Sequence, residues 1–261
     1  MNFADLRFWE CLLAALLVAA GFRSAFRGAA AVRDGRFDRW FLLILGLILL
    51  GLVSWLTFVI HLGVAVFTFA CVAWGSRRPA AHGRWILAAV VPLQLLPLLY
   101  YKYADFLWRD VWGGAGSWTG TVAIPAGISF YTFQCLSYTV DIYRRQLDPV
   151  RRFSDFAFYV SFFPQLVAGP IVRASDFVPQ LYQPYTVNRA QFGLGLFWVV
   201  NGFLKKVILA DFLAVHLVDR VFSQPTLYTG WENTLALFAY TMQVYADFSG
   251  YTDIAIGIAL W

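Results

Sequence analysis

Charged side chains are scarce in this sequence. They make up 13% of its 261 residues, whereas 60% are hydrophobic and 19% are aromatic. Soluble domains carry about 25% charged and about 45–50% apolar residues. Such a shortage of charge leaves too little polar surface to face water. The composition therefore excludes an ordinary soluble domain and favours a protein that crosses a membrane several times.

Cysteines, histidines and catalytic signature motifs are also scarce. No cysteine has a CxxC partner, so each is interpreted as a small buried side chain and not as a zinc ligand. The three histidines are interpreted as structural or interfacial. No GxSxG, HExxH, Walker or GxGxxG pattern is convincing. The residues alone thus predict no metal and no bound cofactor, and they identify no nucleophile or base. The residues concerned are Cys11, Cys71, Cys135, His61, His82 and His216.

The basic residues behind the net charge of +5 lie in short links between apolar runs, at 23–39, 77–84 and 144–152. Cytoplasmic links have this character under the positive-inside rule, so nucleic acid is not needed to explain the charge. Two cytoplasmic links require an even number of crossings between them. We therefore expect a hairpin in the 40–75 run, turning near Thr57–Gly63, with the N-terminus and the 102–119 link outside.

The apolar runs predict an all-α, polytopic membrane protein. The run at 6–22 is interpreted as the first membrane segment because Asp5, Arg7 and Glu10 do not form the positive region of a signal peptide. One stretch, "SFFPQLVAGPIVR" at 161–173, interrupts an apolar run with helix-breaking and polar residues. Non-helical backbone at membrane depth must be sheltered by protein or water. A broken or re-entrant segment is therefore favoured there, shaped by Pro164, Gln165, Gly169 and Pro170.

Polar side chains recur at helical spacing within the apolar runs. Gln134, Tyr138 and Asp141 share one helical face, as do Asn201 and Lys205, and as do Gln243, Asp247 and Tyr251. Ionisable groups inside a membrane are costly and usually functional or paired.

Alternatives remain open for these charges. Asp141 can form an interfacial ion pair near Arg144, and Lys205 and Lys206 can reach a headgroup layer. Asp247 and Asp253 favour an interior role, and we hypothesise that Asp247 pairs with Lys205 or Lys206 across helices.

Four ordered motifs carry a resemblance to a known family. They are "IPAGISFYTFQCLSYTVDIYRRQ", "FSDFAFYVSFFPQLVAGPIVRASDFVPQL", "GLFWVVNGFLKKVILAD" and "YADFSGYTDIAIGIALW". The sequence resembles the membrane-bound O-acyltransferase family, in the branch of bacterial alginate O-acetyltransferases and the D-alanyl transfer protein of teichoic acid modification. The resemblance covers 85–261 well and the N-terminal helices at 1–84 only in character.

The resemblance implies a single membrane domain over 1–261, with seven to nine membrane segments around a central funnel in the bacterial inner membrane. Its implied substrate is an acyl thioester donor such as acetyl-CoA. Its implied partners are the lipid bilayer, an extracytoplasmic acyl acceptor or acetyltransferase protein, and a polysaccharide biosynthesis complex. The family's catalytic histidine is expected downstream of Trp261, so no histidine here receives that role and the chain is expected to be a truncated, split or partial enzyme.

The residues expected to line the funnel or the substrate path come from every polar segment named above. They are Gln134, Tyr138, Asp141, Pro164, Gln165, Gly169, Pro170, Asn201, Lys205, Lys206, Gln243, Asp247, Tyr251 and Asp253. Two other classes remain open. Broken segments with buried Asp and Lys also suit an ion-coupled secondary transporter, although no internal repeat is seen. A non-catalytic remnant or assembly subunit is the third possibility.

Overall fold

The computed structural model describes residues 36–78, 83–117, 123–183 and 188–261, together with a few single positions between 10 and 21. Throughout these ranges the regular structure is helical, without a strand, as the sequence predicts. The predicted first membrane segment at 6–22, Cys11 and His82 fall outside the described residues, apart from those single positions.

Two compact units make up the chain. The N-terminal unit contains the described residues of Glu10–Leu166 and Ile171–Tyr185. The C-terminal unit contains Val167–Pro170 and the described residues of Thr186–Trp261.

The N-terminal unit begins with a helical hairpin. Helix α1 (Arg36–Val53) and helix α2 (Trp55–Gly75) are separated by Ser54 alone, whose backbone is extended at φ −168° and ψ 134°. A continuous helix would hold Gly46 and His61 about 22 Å apart, yet both contact Ser161. The chain therefore folds back between them, which confirms a hairpin. Its turn lies at Ser54, not near Thr57–Gly63, where α2 is regular helix.

Helix α3 (Gly83–Leu98) contains Pro92 and Pro97 and does not end where the apolar run ends. It continues through wider π-helical turns at Leu99–Tyr103 and Leu107–Val111. The predicted link at 102–119 is therefore wrong in its first half, because residues up to Val111 are helical. The charged residues there lie on exposed or half-buried helical surface, where they retain access to solvent or headgroups.

One longer helix, three short ones and a 3₁₀ turn follow along the chain. Helix α4 (Ile128–Tyr143) carries eight buried residues and packs against α2 and α3. Helices α5 (Phe153–Val160), α6 (Phe163–Ala168) and α7 (Ala174–Phe177) follow, and α7 runs into a 3₁₀ turn at Val178–Tyr182. The core combines aliphatic and aromatic side chains, and Phe156 and Tyr159 are fully buried there.

A polar contact joins three of these elements outside the apolar core. Asp155 of α5 accepts a hydrogen bond from the Tyr182 hydroxyl at 3.1 Å and lies 3.8 Å from the guanidinium of Arg39 in α1. Burial, and then the adjacent Asp155 carboxylate, raise the pKa of Tyr182 above its ordinary value. The phenol therefore stays a hydrogen-bond donor at neutral pH.

The C-terminal unit consists of two long antiparallel helices. Helix α8 (Arg189–Phe203) begins at a capping box in which Asn188 and Gln191 exchange hydrogen bonds. It continues without a break through π-helical turns to Ser223. Helix α9 (Gly230–Ala259) begins at a second capping box, made by Thr229 and Glu232.

Three helices among the described residues are long and apolar enough to cross a membrane. They are Trp55–Gly75, Trp85–Val111 and Arg189–Ser223. Helix α9 has 30 residues, but its polar side chains exclude it from this set. The chain is therefore a helical membrane protein with three candidate spans in its described part.

Candidate functional site

Helices α8 and α9 approach closely because glycine occurs on both. Gly195 faces the Gly257 carbonyl and Gly202 faces the Gly250 carbonyl, and a Cβ built on any of the four would lie within 3 Å of the opposite backbone. The two glycines on each helix are seven residues apart in sequence, which is about two helical turns. Small residues allow membrane helices to pack at backbone contact. This glycine seam, formed by these four residues, sets the separation of the polar groups beside it.

A first polar cluster lies along the glycine seam. The Lys205 ammonium lies 2.6 Å from Asp253 and donates a hydrogen bond to Ser249 at 2.9 Å. Asn201, one turn before Lys205, donates to the same Asp253 carboxylate at 2.7 Å. The Asp253 side chain is only 8% exposed and Lys205 is 30% exposed. An almost buried carboxylate thus receives one ammonium and one amide, which offsets its desolvation.

A second polar cluster follows on the adjacent turn. The Lys206 ammonium lies 2.6 Å from both Asp211 and Asp247, and it faces the ring of Tyr251 at 5.2 Å. The hypothesis that Asp247 pairs with a lysine of the other helix is confirmed for Lys206. Gln243 shares the face of Asp247, but its side-chain oxygen is buried without a hydrogen-bond partner among the described residues. Both lysines are held by carboxylates and do not need to extend to headgroups.

The backbone around the two lysines is irregular. Residues Leu204–Asp211 form π-helical turns. Such turns are rare in proteins as a whole, but many of those that occur lie at functional sites. The wider turn places Lys206 and Asp211, five residues apart, in contact. In a regular α-helix, by contrast, a residue shares a face with the residues three and four positions away.

A separate polar set lies inside the N-terminal unit. Gln134 of α4 donates a hydrogen bond from its side-chain amide to the Gln165 carbonyl oxygen of α6, and both side chains are buried. The side-chain oxygen Oε1 of Gln134 has no hydrogen-bond partner among the described residues. The sequence placed both glutamines on the substrate path separately, and the structure brings them together.

Tyr138 and Asp141, which share the predicted polar face of α4 with Gln134, are also buried but form hydrogen bonds with other partners. The Tyr138 hydroxyl accepts a hydrogen bond from the Val150 backbone at 3.0 Å and so ties α4 to the basic link. Asp141 accepts a hydrogen bond from Ser137 at 3.3 Å. An ion pair between Asp141 and Arg144, one of the two alternatives, is not among the pairs of the described residues.

The broken segment at 161–173 is confirmed, with one correction. The break falls at Ser161 and Phe162, between α5 and α6. Pro164 does not interrupt a helix, because it occupies the first turn of α6, where its missing N–H costs nothing. Gly169 and Pro170 lie in the non-helical backbone after α6 and belong to the C-terminal unit.

Sequence reasoning missed several buried polar contacts in the N-terminal unit. The His61 Nε2 lies 2.8 Å from the Ser161 hydroxyl, and its ring stands edge-on to Tyr131 at 4.8 Å. Gln94 donates to Thr68 and Thr139 at 3.0 and 2.8 Å. The sequence signal that could have predicted these contacts is Gln94 itself, a single amide in the otherwise apolar run of α3. His61 is thus a bonded, buried residue, in agreement with its structural interpretation.

The remaining residues of interest behave as small or interfacial groups. Cys135 is buried and Cys71 is half-buried, and both are free thiols. His216 stacks on Phe212 one turn earlier, with its Nδ1 3.0 Å from the Phe212 carbonyl oxygen. Across the described residues, groups of three or more potential metal ligands are absent.

Together these features define an apolar helical membrane protein whose helices carry paired charges and buried, hydrogen-bonded amides. The model of the membrane-bound O-acyltransferase family matches residues 119–260, more than half of the chain. The chain therefore belongs to the membrane-bound O-acyltransferase family. All the sequence-predicted site residues lie within the matched range.

Relatives over a larger part of the chain agree with this family. The chain is 39% identical over 211 residues to a Pseudomonas aeruginosa protein named "Probable alginate O-acetylase AlgI", covering 76% of this chain and 39% of the relative. It is 33% identical over 230 residues to a peptidoglycan O-acetyltransferase of Helicobacter pylori, covering 76% and 43%. It is 27% identical over 192 residues to a teichoic acid D-alanyltransferase of Bacillus subtilis, covering 70% and 46%. The chain thus spans about two fifths of the length of the curated relatives it matches.

Proposed function

We propose that this protein is part of a membrane O-acyltransferase that moves acetyl groups across the inner membrane to hydroxyls of an exopolysaccharide such as alginate. The donor is a cytoplasmic acyl thioester of the acetyl-CoA type. The observation that carries the proposal is that the family match at 119–260 contains both lysine clusters and the buried glutamine pair.

The physical requirement of such a reaction supports this proposal. An acyl group and a hydroxyl acceptor that approach from opposite sides need a path lined by protein, because lipid offers no hydrogen bonds. The broken segment between α5 and α6 supplies irregular backbone inside the N-terminal unit, and the π-helical turns of α8 supply irregular backbone beside the lysine clusters. Gln134, Gln165 and Asp247 supply polar groups at membrane depth. We assign no proton-transfer step to His61 or His216.

The proposal includes a topology and partners. We infer seven to nine membrane segments in the inner membrane, with the N-terminus extracytoplasmic and the links around Arg77 and Arg151 in the cytoplasm. The partners are an extracytoplasmic acetyltransferase or acceptor protein and a polysaccharide biosynthesis complex. Secondary transport is not favoured, because the three relatives described above are all named as transferases or acetylases.

A complementation assay tests the proposal. The full gene product is expressed in an alginate-producing strain that lacks its own alginate O-acetylase, and ester-linked acetate on the polymer is measured. We expect acetylation to be restored, and to fall at least severalfold in Gln134→Ala, Gln165→Ala and Asp247→Ala. Gln183→Ala, which changes an exposed glutamine, is the matched control. Unchanged acetylation at normal protein level in all three variants would remove these residues from the path, and no restoration would contradict alginate as the acceptor.

A further inference from the structure

A cavity of about 420 Å³ lies in the N-terminal unit, where α2 and α4 end and α3 begins. Its volume falls in the range of small-molecule sites. One wall is apolar and includes Ile86, Val90 and Ile142. The rest of the lining includes residues of the chain after α2 and α4, among them Arg78, Arg145 and Asp148. The cavity is therefore amphipathic.

Neither arginine takes part in an ion pair of the described residues. Among the described residues, no carboxylate lies within ion-pair distance of either guanidinium, and Asp148 pairs with neither. Arg78 instead lies 4.8 Å above the ring of Trp74. Arg145 has a backbone φ of 58°, a left-handed conformation that is uncommon for a residue with a side chain. The cavity thus has two cations without a carboxylate partner among the described residues, and one carboxylate.

The cavity also lies at the level where the apolar spans end. One candidate span ends at Gly75 and the next begins at Trp85. Trp74, Trp85 and Tyr143 lie around this end of the helices with exposed rings. Exposed Trp and Tyr at helix ends mark the boundary between the hydrocarbon and the headgroups. The apolar wall, which begins at Ile86, therefore faces the acyl-chain region, and the arginines face the headgroup region.

We propose that this cavity binds an anionic phospholipid. Arg78 and Arg145 contact the headgroup phosphate, and an acyl chain lies along Ile86, Val90 and Ile142. Guanidinium groups form strong, charge-assisted hydrogen bonds with phosphate, and basic pockets between membrane helices on the cytoplasmic side recognise anionic headgroups. A free phosphate would leave the apolar wall uncovered, so the lipid is favoured as the source of the phosphate.

The experiment measures lipid retained by the full gene product. The protein is reconstituted in nanodiscs containing equal amounts of phosphatidylglycerol and phosphatidylcholine, extracted in mild detergent and examined by native mass spectrometry. We expect phosphatidylglycerol to be retained in preference to phosphatidylcholine. Arg78→Gln and Arg145→Gln should each weaken retention about tenfold, as expected for the loss of a charge-assisted hydrogen bond. Arg78→Lys should recover part of the loss.

The chain offers matched controls for both changes. Arg77→Gln and Arg144→Gln remove the same charge from the same exposed links, but neither residue lines the cavity. Retention in these two variants should stay within about twofold of the parent. Equal losses in all four variants would show nonspecific attraction by the basic links and overturn the proposal. Release of the lipid by millimolar inorganic phosphate would also overturn it. If Arg145→Gln is unstable, the Arg78 variants decide the outcome.

Discussion

At the scale of single residues, the cluster around Asp253 joins two helices of the C-terminal unit. Its carboxylate is almost buried and receives the Lys205 ammonium at 2.6 Å and the Asn201 amide at 2.7 Å. Removing one partner leaves the other with an uncompensated polar or charged group, which costs more than the contact itself contributed. The cluster is therefore sensitive to single changes and tolerant of paired ones.

A double-mutant cycle tests this coupling. Lys205→Gln and Asp253→Asn should each lower the free energy of unfolding, and the double variant should lose less than the sum of the two. The interaction energy is expected to be about 0.5–3 kcal/mol, measured by thermal or denaturant unfolding in detergent. The control cycle combines Lys205→Gln with Asp219→Asn, since exposed Asp219 lies farther along α8 and shares no partner with Lys205. Coupling of equal size in both cycles would contradict the ion pair.

The partner of Asp247 can be tested by charge exchange. The structure pairs Asp247 with Lys206. Lys206→Asp and Asp247→Lys should each reduce folded protein, and the double variant should recover a substantial part of it, measured as monodisperse protein after extraction. The matched pair Lys205→Asp with Asp247→Lys should recover little. Recovery by the second pair and not by the first would reverse the assignment.

At the scale of elements, the contact between α8 and α9 depends on the missing side chains of the glycine seam. A Cβ at Gly202 would lie 2.5 Å from the Gly250 carbonyl oxygen and 2.7 Å from the Ile254 side chain. Gly202→Ala should therefore destabilise the protein by about 1–3 kcal/mol, because backbone must move apart. Gly193→Ala is the control: a Cβ there meets nothing within 4 Å, and the higher helix propensity of alanine stabilises by up to about 1 kcal/mol. Thermal unfolding distinguishes the two, and equal effects would show that α8 and α9 do not pack at this seam.

A similar glycine test applies to the hairpin of α1 and α2. A Cβ at Gly46 would collide with the backbone carbonyl of Ser161 at the break between α5 and α6, whereas one at Gly51 meets nothing. Gly46→Ala should lower thermal stability, and Gly51→Ala should leave it unchanged or raise it. If Gly46→Ala is as stable as the parent, α1 does not lie against the broken segment.

At the scale of the whole molecule, the orientation of the spans can be measured. Trp85–Val111 is one candidate span, so residues on its two sides should lie on opposite faces of the membrane. With the three native cysteines replaced by alanine, Ser117→Cys should react with a membrane-impermeant maleimide in intact spheroplasts. Ser76→Cys should react only after the membrane is opened. Both serines are exposed. Reaction of both in intact cells would contradict the proposed orientation.

The sequence by itself determined the membrane class, the helical content, the family and the positions of the unusual polar groups. These properties depend on composition and local spacing, which do not need a tertiary structure to be known. It also predicted a hairpin between α1 and α2 from the balance of charge in the links. It misplaced the turn, because a single extended residue, Ser54, carries no turn signal, and it ended α3 too early, because charged residues at a helix end need not break the helix.

Only the tertiary structure decided which polar groups meet. Lys205 and Lys206 are adjacent in sequence but point in different directions around the helix, so the rotation of α8 against α9 selects Asp253 for one and Asp247 for the other. The contact of Gln134 with Gln165 and that of His61 with Ser161 likewise join residues distant in sequence. Long-range pairing depends on how helices cross, and the crossing of α8 and α9 is set by the glycine seam. Local spacing shows that a polar face exists, and packing decides what that face binds.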